Sequence, residues 1–264
     1  MKKRHLVYAI ALIVGMGACA ASAKKQAEAK PDVWKSYNVG TVLFEDKASE
    51  TKGSDIYHRI IPDAESYIKE QARTVLATLY NSPEDSITPV NKIHYTLEDI
   101  EGISAKGGGN GDVTIFYSTR HIEKSFAEND TAKLFFETRG VLLHELTHAY
   151  QLEPQGIGSY GTNRVFWAFI EGMADAVRVA NGGFDGPNAR PKGGNYMDGY
   201  RTAGYFFVWL RDNKDPEFLR KFNRSTLEVI PWSFDGAIKH ILGTGYSIDE
   251  LWHEYQVAVG DIQV

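Results

Sequence analysis

The chain has 264 residues, 43% of them hydrophobic and 12% aromatic, with 29 basic residues against 34 acidic ones and a formal charge of −5. That length suits one large domain or two small ones, and the composition excludes an intrinsically disordered chain. The acidic balance argues against a nucleic-acid partner, because phosphate recognition needs a basic face.

The chain begins like an export signal. Lys2, Lys3 and Arg4 precede an apolar run over residues 6–18. That run is shorter than the ~20 residues that span a bilayer. Two processing sites come after it. Ala21, Ser22 and Ala23 form a small-residue site before Lys24, and Met16-Gly17-Ala18-Cys19 resembles a bacterial lipobox, with methionine where leucine is usual. On the second, Cys19 becomes a lipid-bearing first residue. The expectation is therefore an exported protein, held in the bacterial envelope as a lipoprotein, or periplasmic or secreted after ordinary cleavage. Cys19 is the single cysteine, so the folded part has no internal disulfide. Loss of residues 1–23 removes three basic residues and no acidic one, which takes the charge to about −8. The expected organisation is a signal over residues 1–23, a solvated tether over 24–35 rich in Ala, Lys and Glu, and one monomeric domain over 36–264. Contact with a membrane is expected only through the lipid anchor.

Residues 39–45 (VGTVLFE) have strand character. Residues 55–80 carry helical periodicity, with Pro62 near the start, where a first turn tolerates it. Ile93 and Tyr95 alternate with polar neighbours, which predicts a strand over 92–97. KGGGNG (106–111) reads as a flexible loop, and VTIFY (113–117) as another strand. Beyond that point the pattern is helical, over residues 131–152, 164–180, 196–213, 216–222, 232–242 and 248–257. Strands early and helices late predict an α+β fold.

The chemistry concentrates in two of these helices. His144-Glu145-Leu146-Thr147-His148 puts two imidazoles one turn apart on one face, where both can reach one cation. Glu145 is rotated off that line and is placed to take a proton from a water. A third ligand is needed. Glu171, in the apolar run Phe166, Trp167, Phe169, Ile170, Met173 and Val177, is the best placed, since an unpaired carboxylate there would be costly. Asp175, one turn on, can accept from the far N–H of His144 and fix its tautomer. Ligation by Asp175 or by Glu153 instead of Glu171 remains open, as does simple exposure of Glu171 and Asp175. Two imidazoles and a carboxylate suit Zn2+, one per chain, with a water in the fourth position. Metal-assisted hydrolysis of a protein or peptide substrate is the expected reaction. An oxyanion donor is expected in Tyr200, with His240 behind it. Extended peptide needs a strand edge, for which Val113, Ile115 and Tyr117 are the expected providers, with the glycine-rich loop as a flap.

GVLLHELTHAYQ (140–151), FIEGMADAVR (169–178), Asp198-Gly199-Tyr200 and SIDELWHEYQ (247–256) together resemble the basic secretory protein family, zinc-dependent peptidases of plants and bacteria within the zincin class. The HELTH run alone is shared with thermolysin-like peptidases; its pairing with EGMAD is more specific. The resemblance spans about residues 41–255 and implies one domain. It implies His144, His148 and Glu171 as ligands, Glu145 as acid and base, and a zincin-like fold with the active-site helix beneath a small sheet.

Overall fold

The computed structural model describes residues 32–186 and 188–263. The leader, Cys19 and residues 24–31 of the tether lie outside them. Residues Val33–Val264 make one compact unit.

A four-stranded sheet forms from β1 (Thr41–Asp46), β2 (Lys92–Glu98), β3 (Ser104–Gly109) and β4 (Asp112–Ser118). Its order is β1-β2-β4-β3, with β1, β2 and β4 parallel and β3 antiparallel at one edge. Between β1 and β2 run α1 (Lys52–Ile60) and α2 (Ala64–Leu79). The single helix expected over 55–80 is thus two. Pro62 offers no N–H to continue the ladder, and Asp63 starts the second helix by accepting from Ser66 N.

The glycine-rich segment is corrected from loop to strand. Gly107, Gly108 and Gly109 belong to β3, and the turn to β4 is made by Asn110 and Gly111, both at positive φ. An edge strand needs only one neighbour's hydrogen bonds, so a run without side chains can still be held in a sheet.

After β4 the chain is helical. In order come α3 (Thr119–Ser125), α4 (Thr131–Tyr150), α5 (Arg164–Ala180), a 3-10 turn at Tyr196–Asp198, α6 (Tyr200–Asn213), α7 (Phe218–Glu228), α8 (Phe234–Leu242) and α9 (Ile248–Ala258). The fold is α+β, with a small mixed sheet followed by helices. The helix expected over 196–213 is broken at Gly199, and the one expected over 216–222 runs later, as α7.

Two helices, α4 and α5, carry the chemistry-bearing residues. Asp130 caps α4 by accepting from Lys133 N, and Asn163 caps α5 by accepting from Val165 N and Phe166 N. Val141, Leu142, Leu143, Leu146 and Ala149 are all buried, so α4 lies deep in the molecule. Its C-terminal end is pinned from two directions: Tyr80 Oη donates to Tyr150 O at 2.6 Å, and Tyr150 Oη donates to Val39 O at 2.8 Å. Against α5 and α6 lies an aromatic core that includes Phe169, Phe207, Phe222 and Trp232. Polar groups on such helices cannot turn to solvent and must find partners inside.

Candidate metal centre

The helical spacing in α4 does what it implies. His144 Nε2 and His148 Nε2 face one another at 3.0 Å. Helix α5 runs past them and brings Glu171 Oε2 to 3.3 Å from His144 Nε2 and 3.7 Å from His148 Nε2. Ligand atoms of these three residues all lie within 4.8 Å of one another. Glu153, the alternative acidic ligand on the sequence, stays exposed at the cleft's mouth.

Whether these residues suit a cation is decided by three observations. Two imine nitrogens at 3.0 Å need a positive centre between them, a proton or a metal, because bare lone pairs would repel. Glu171 is 3% exposed, and its Oε2 is buried without a hydrogen-bond partner among the described residues. Leaving such an oxygen unpaired costs about 1–3 kcal/mol or more. Two imidazoles and one carboxylate converging on one point are a donor set that a divalent cation satisfies.

The surroundings are built to hold these three in place. Asp175 Oδ1 lies 2.7 Å from His144 Nδ1, so Asp175 braces a ligand and does not join the set. On His148 the same position is filled by Gln151, whose side-chain amide lies 2.9 Å from Nδ1. Tyr160 Oη donates to Glu171 Oε1 at 2.6 Å, which leaves Oε2 as the oxygen turned toward the histidines. Tyr200 lies nearly parallel to the His144 ring, with centroids 6.0 Å apart and planes at 13°. It is 47% exposed, opens α6 and has a φ of 41°.

The electrostatics divide the two histidines. Burial disfavours charge on His144, but the hydrogen bond to Asp175, and next the nearby Glu171 carboxylate, outweigh it and push the pKa up to about 10. His148 lacks such a carboxylate on its far side. Burial, followed by the charge on His144, pulls its pKa down to about 3. Burial also works to raise Glu171, but His144, His148 and Tyr160 together hold it below the usual value. Glu145 moves the other way: burial raises its carboxyl above the ordinary value, against the nearby Ser104 side chain and Lys106 N–H.

All of these groups line one cleft of about 750 Å³. Helix α4 supplies His144, Glu145 and His148; α5 supplies Glu171 and Asp175; and residues 103–106, leading into and along β3, make the opposite wall. Among the expected peptide-binding residues, the structure corrects Val113, Ile115 and Tyr117. Strand β4 has β2 on one side and β3 on the other, so it has no free edge, and these three side chains are 5%, 1% and 0% exposed in the core. The edge strands are β1 and β3, and it is β3 that lines the cleft. His240 is also remote from the cleft, exposed and paired with Glu228 at 3.0 Å.

Sequence reasoning misses Tyr160 and Gln151. Gln151 comes three positions after His148, and the helical neighbour rule that pairs the histidines could have found it. Tyr160 sits between α4 and α5, where no periodicity marks it, and only the folded loop brings it to Glu171.

A family model described as BSP, peptidase of plants and bacteria, matches residues 39–255. No curated protein and no solved structure matches the chain.

Proposed function

From the premise that the chain belongs to this family of peptidases of plants and bacteria, we propose that it is a zinc-dependent peptidase working at the His144, His148 and Glu171 site. The observation that carries this is the buried, unpaired Glu171 Oε2 facing two imidazole nitrogens. That donor set, three ligands with room for a water, is the usual one for catalytic zinc. Bound there, the cation would polarise a peptide carbonyl and acidify a water beside Glu145.

The protein's own groups have separable tasks. Glu145 takes a proton from the attacking water and returns it to the leaving amine. Its buried position holds the carboxyl above the ordinary acid range, which brings it closer to the pH at which a general base serves best. Asp175 keeps the far nitrogen of His144 protonated, so that Nε2 presents its lone pair. Tyr160 steers Glu171. Tyr200 donates its hydroxyl to the oxygen that gains charge when the carbonyl is attacked; burial raises its pKa and keeps that proton in place at neutral pH. A substrate lies extended along the free edge of β3, where backbone hydrogen bonds hold it across the cleft. Export through the leader, with cleavage before Cys19 so that Cys19 becomes the lipid-bearing first residue, completes the reading as an envelope peptidase.

The purified domain is expected to carry one zinc per chain and to cleave unfolded casein. Metal analysis and a casein digest, with and without a chelator, test this; intact casein from a fully metal-loaded protein would refute it.

Gln151 supplies a sharper check on the ligand set. Metal on His148 Nε2 requires a proton on Nδ1, and that proton needs an acceptor. Gln151 Oε1 is buried without a partner among the described residues, and a turn of the amide brings it to Nδ1. Gln151→Leu is expected to weaken zinc about 10- to 100-fold in competition with a chromogenic chelator. Unchanged affinity would show that His148 needs no such support.

A further inference from the structure

A second built feature opens on the same cleft and has no part in the proton transfers. Arg178 lies on α5 on the face that carries Glu171 and Asp175, and it is 6% exposed. Its guanidinium lies over the Phe184 ring, with Cζ 3.8 Å from the centroid. It also packs on the backbone of α4 at Gly140, where an added Cβ would come to 2.6 Å from Cζ. A glycine in mid-helix costs about 1 kcal/mol against alanine, and here the space it leaves is filled by the arginine.

For so costly a burial the group is sparsely paired. Nη2 donates to Glu137 Oε2 at 2.6 Å, and the other Glu137 oxygen is 3.3 Å from His121 Nε2. Among the described residues, neither Nε nor Nη1 of Arg178 has a hydrogen-bond partner. Nε is shut off from solvent. Nη1 is not, and the side chain lines the cleft, so Nη1 is the donor a ligand can reach.

The sheet tells which part of a substrate arrives there. Ser104 pairs with Tyr117, and Tyr117 Oη is 3.2 Å from Thr138 Oγ1, so the start of β3 lies at the Glu137 end of α4. The Ser104 side chain and the Lys106 N–H both reach Glu145, and of the two it is Lys106, farther along, whose charge is also felt at His148. A peptide added antiparallel to β3, the stronger pairing, therefore runs with its C-terminal part toward Arg178. This inference rests on the peptidase reading of the metal site.

We propose that Arg178 is a substrate-binding residue that donates to a main-chain carbonyl on the C-terminal side of the scissile bond, which makes the protein an endopeptidase. The acceptor is a neutral carbonyl and not a terminal carboxylate. Glu137 already balances the guanidinium, and Asp175 lies a turn away, so a further carboxylate would meet like charge. Stacking on Phe184 and Gly140 fixes the plane of the fork before substrate arrives, which lowers the cost of ordering it.

The test uses the octapeptide best cleaved from casein, in three forms: C-terminally amidated, truncated to a free acid one residue past the cleavage point, and with the carbonyl of that residue replaced by an (E)-alkene. Zinc-loaded wild type is expected to cleave the alkene form about 10-fold less efficiently, as the loss of one hydrogen bond to a charged donor implies. Arg178→Lys keeps a charge for Glu137 but loses the fork, and it is expected to treat the alkene and the parent alike, with zinc content unchanged. Fluorescence anisotropy with metal-free Glu145→Gln protein reads the same contact without turnover, and there too the alkene form should bind more weakly. Equal handling of alkene and parent by wild type in both assays would overturn the proposal, as would a preference for the free acid. Failure of the peptidase reading looks different: no zinc binds, casein stays whole and no octapeptide is released, which overturns both readings at once.

Discussion

Glu145→Gln is expected to abolish turnover while the site keeps its zinc. The rate of peptide cleavage should fall about 10²–10⁴-fold, the range that a positioned general acid and base supplies. The substitution is close to isosteric, so the contacts with the Ser104 side chain and the Lys106 N–H can persist and the helix need not shift. Glu145 is 6% exposed and lies off the line of the two histidines, outside the group that could hold a cation. Its loss therefore removes a proton carrier and no ligand. The measurement is kcat on a casein-derived peptide beside zinc stoichiometry on the same sample. Undiminished kcat would assign the proton transfer elsewhere, and lost zinc would place Glu145 among the ligands.

Glu171→Ala should act in the opposite way, by emptying the site. Its Oε2 is the one oxygen that approaches both Nε2 atoms. Without it two imidazoles remain, and zinc affinity should fall by more than the roughly 100-fold cost of losing a supporting residue. Thermal unfolding gives an independent readout. At 1,000 times its dissociation constant, zinc stabilises wild type by about 4 kcal/mol through mass action, and the same zinc concentration should leave the melting temperature of the variant nearly unmoved. A variant that melts higher with zinc, as wild type does, would remove Glu171 from the ligand set and return Glu153 and Asp175 to consideration.

The legible parts of the site were those carried by one helix. His144 and His148 meet because four residues complete one turn, whatever surrounds them. Asp175 could be set on the far nitrogen of His144 because it lies one turn from Glu171, and the 2.7 Å contact arises from the two helices lying side by side. The same logic had no purchase on β4. A run such as VTIFY reports that both faces are covered, but it does not say which strand lies next to it, and β3 took the edge that β4 was expected to offer. The glycines that made β3 look like a loop conceal a strand because ladder hydrogen bonds use the backbone, which carries no sequence signal. Tyr160 on Glu171, and Arg178 between Phe184 and Gly140, join residues 6 to 38 positions apart, for which no period exists to read.

By itself the sequence determined the α+β class, the paired imidazoles, the glutamate between them and the apolar helix that brings a carboxylate. These come from local periodicity and from the cost of burying charge. Tertiary structure alone decided which edge strand borders the cleft, which oxygen of Glu171 turns inward, and which cation lies along the cleft. Each of those depends on how separate segments pack against one another, and packing is set by the sum of many weak contacts that no single segment encodes.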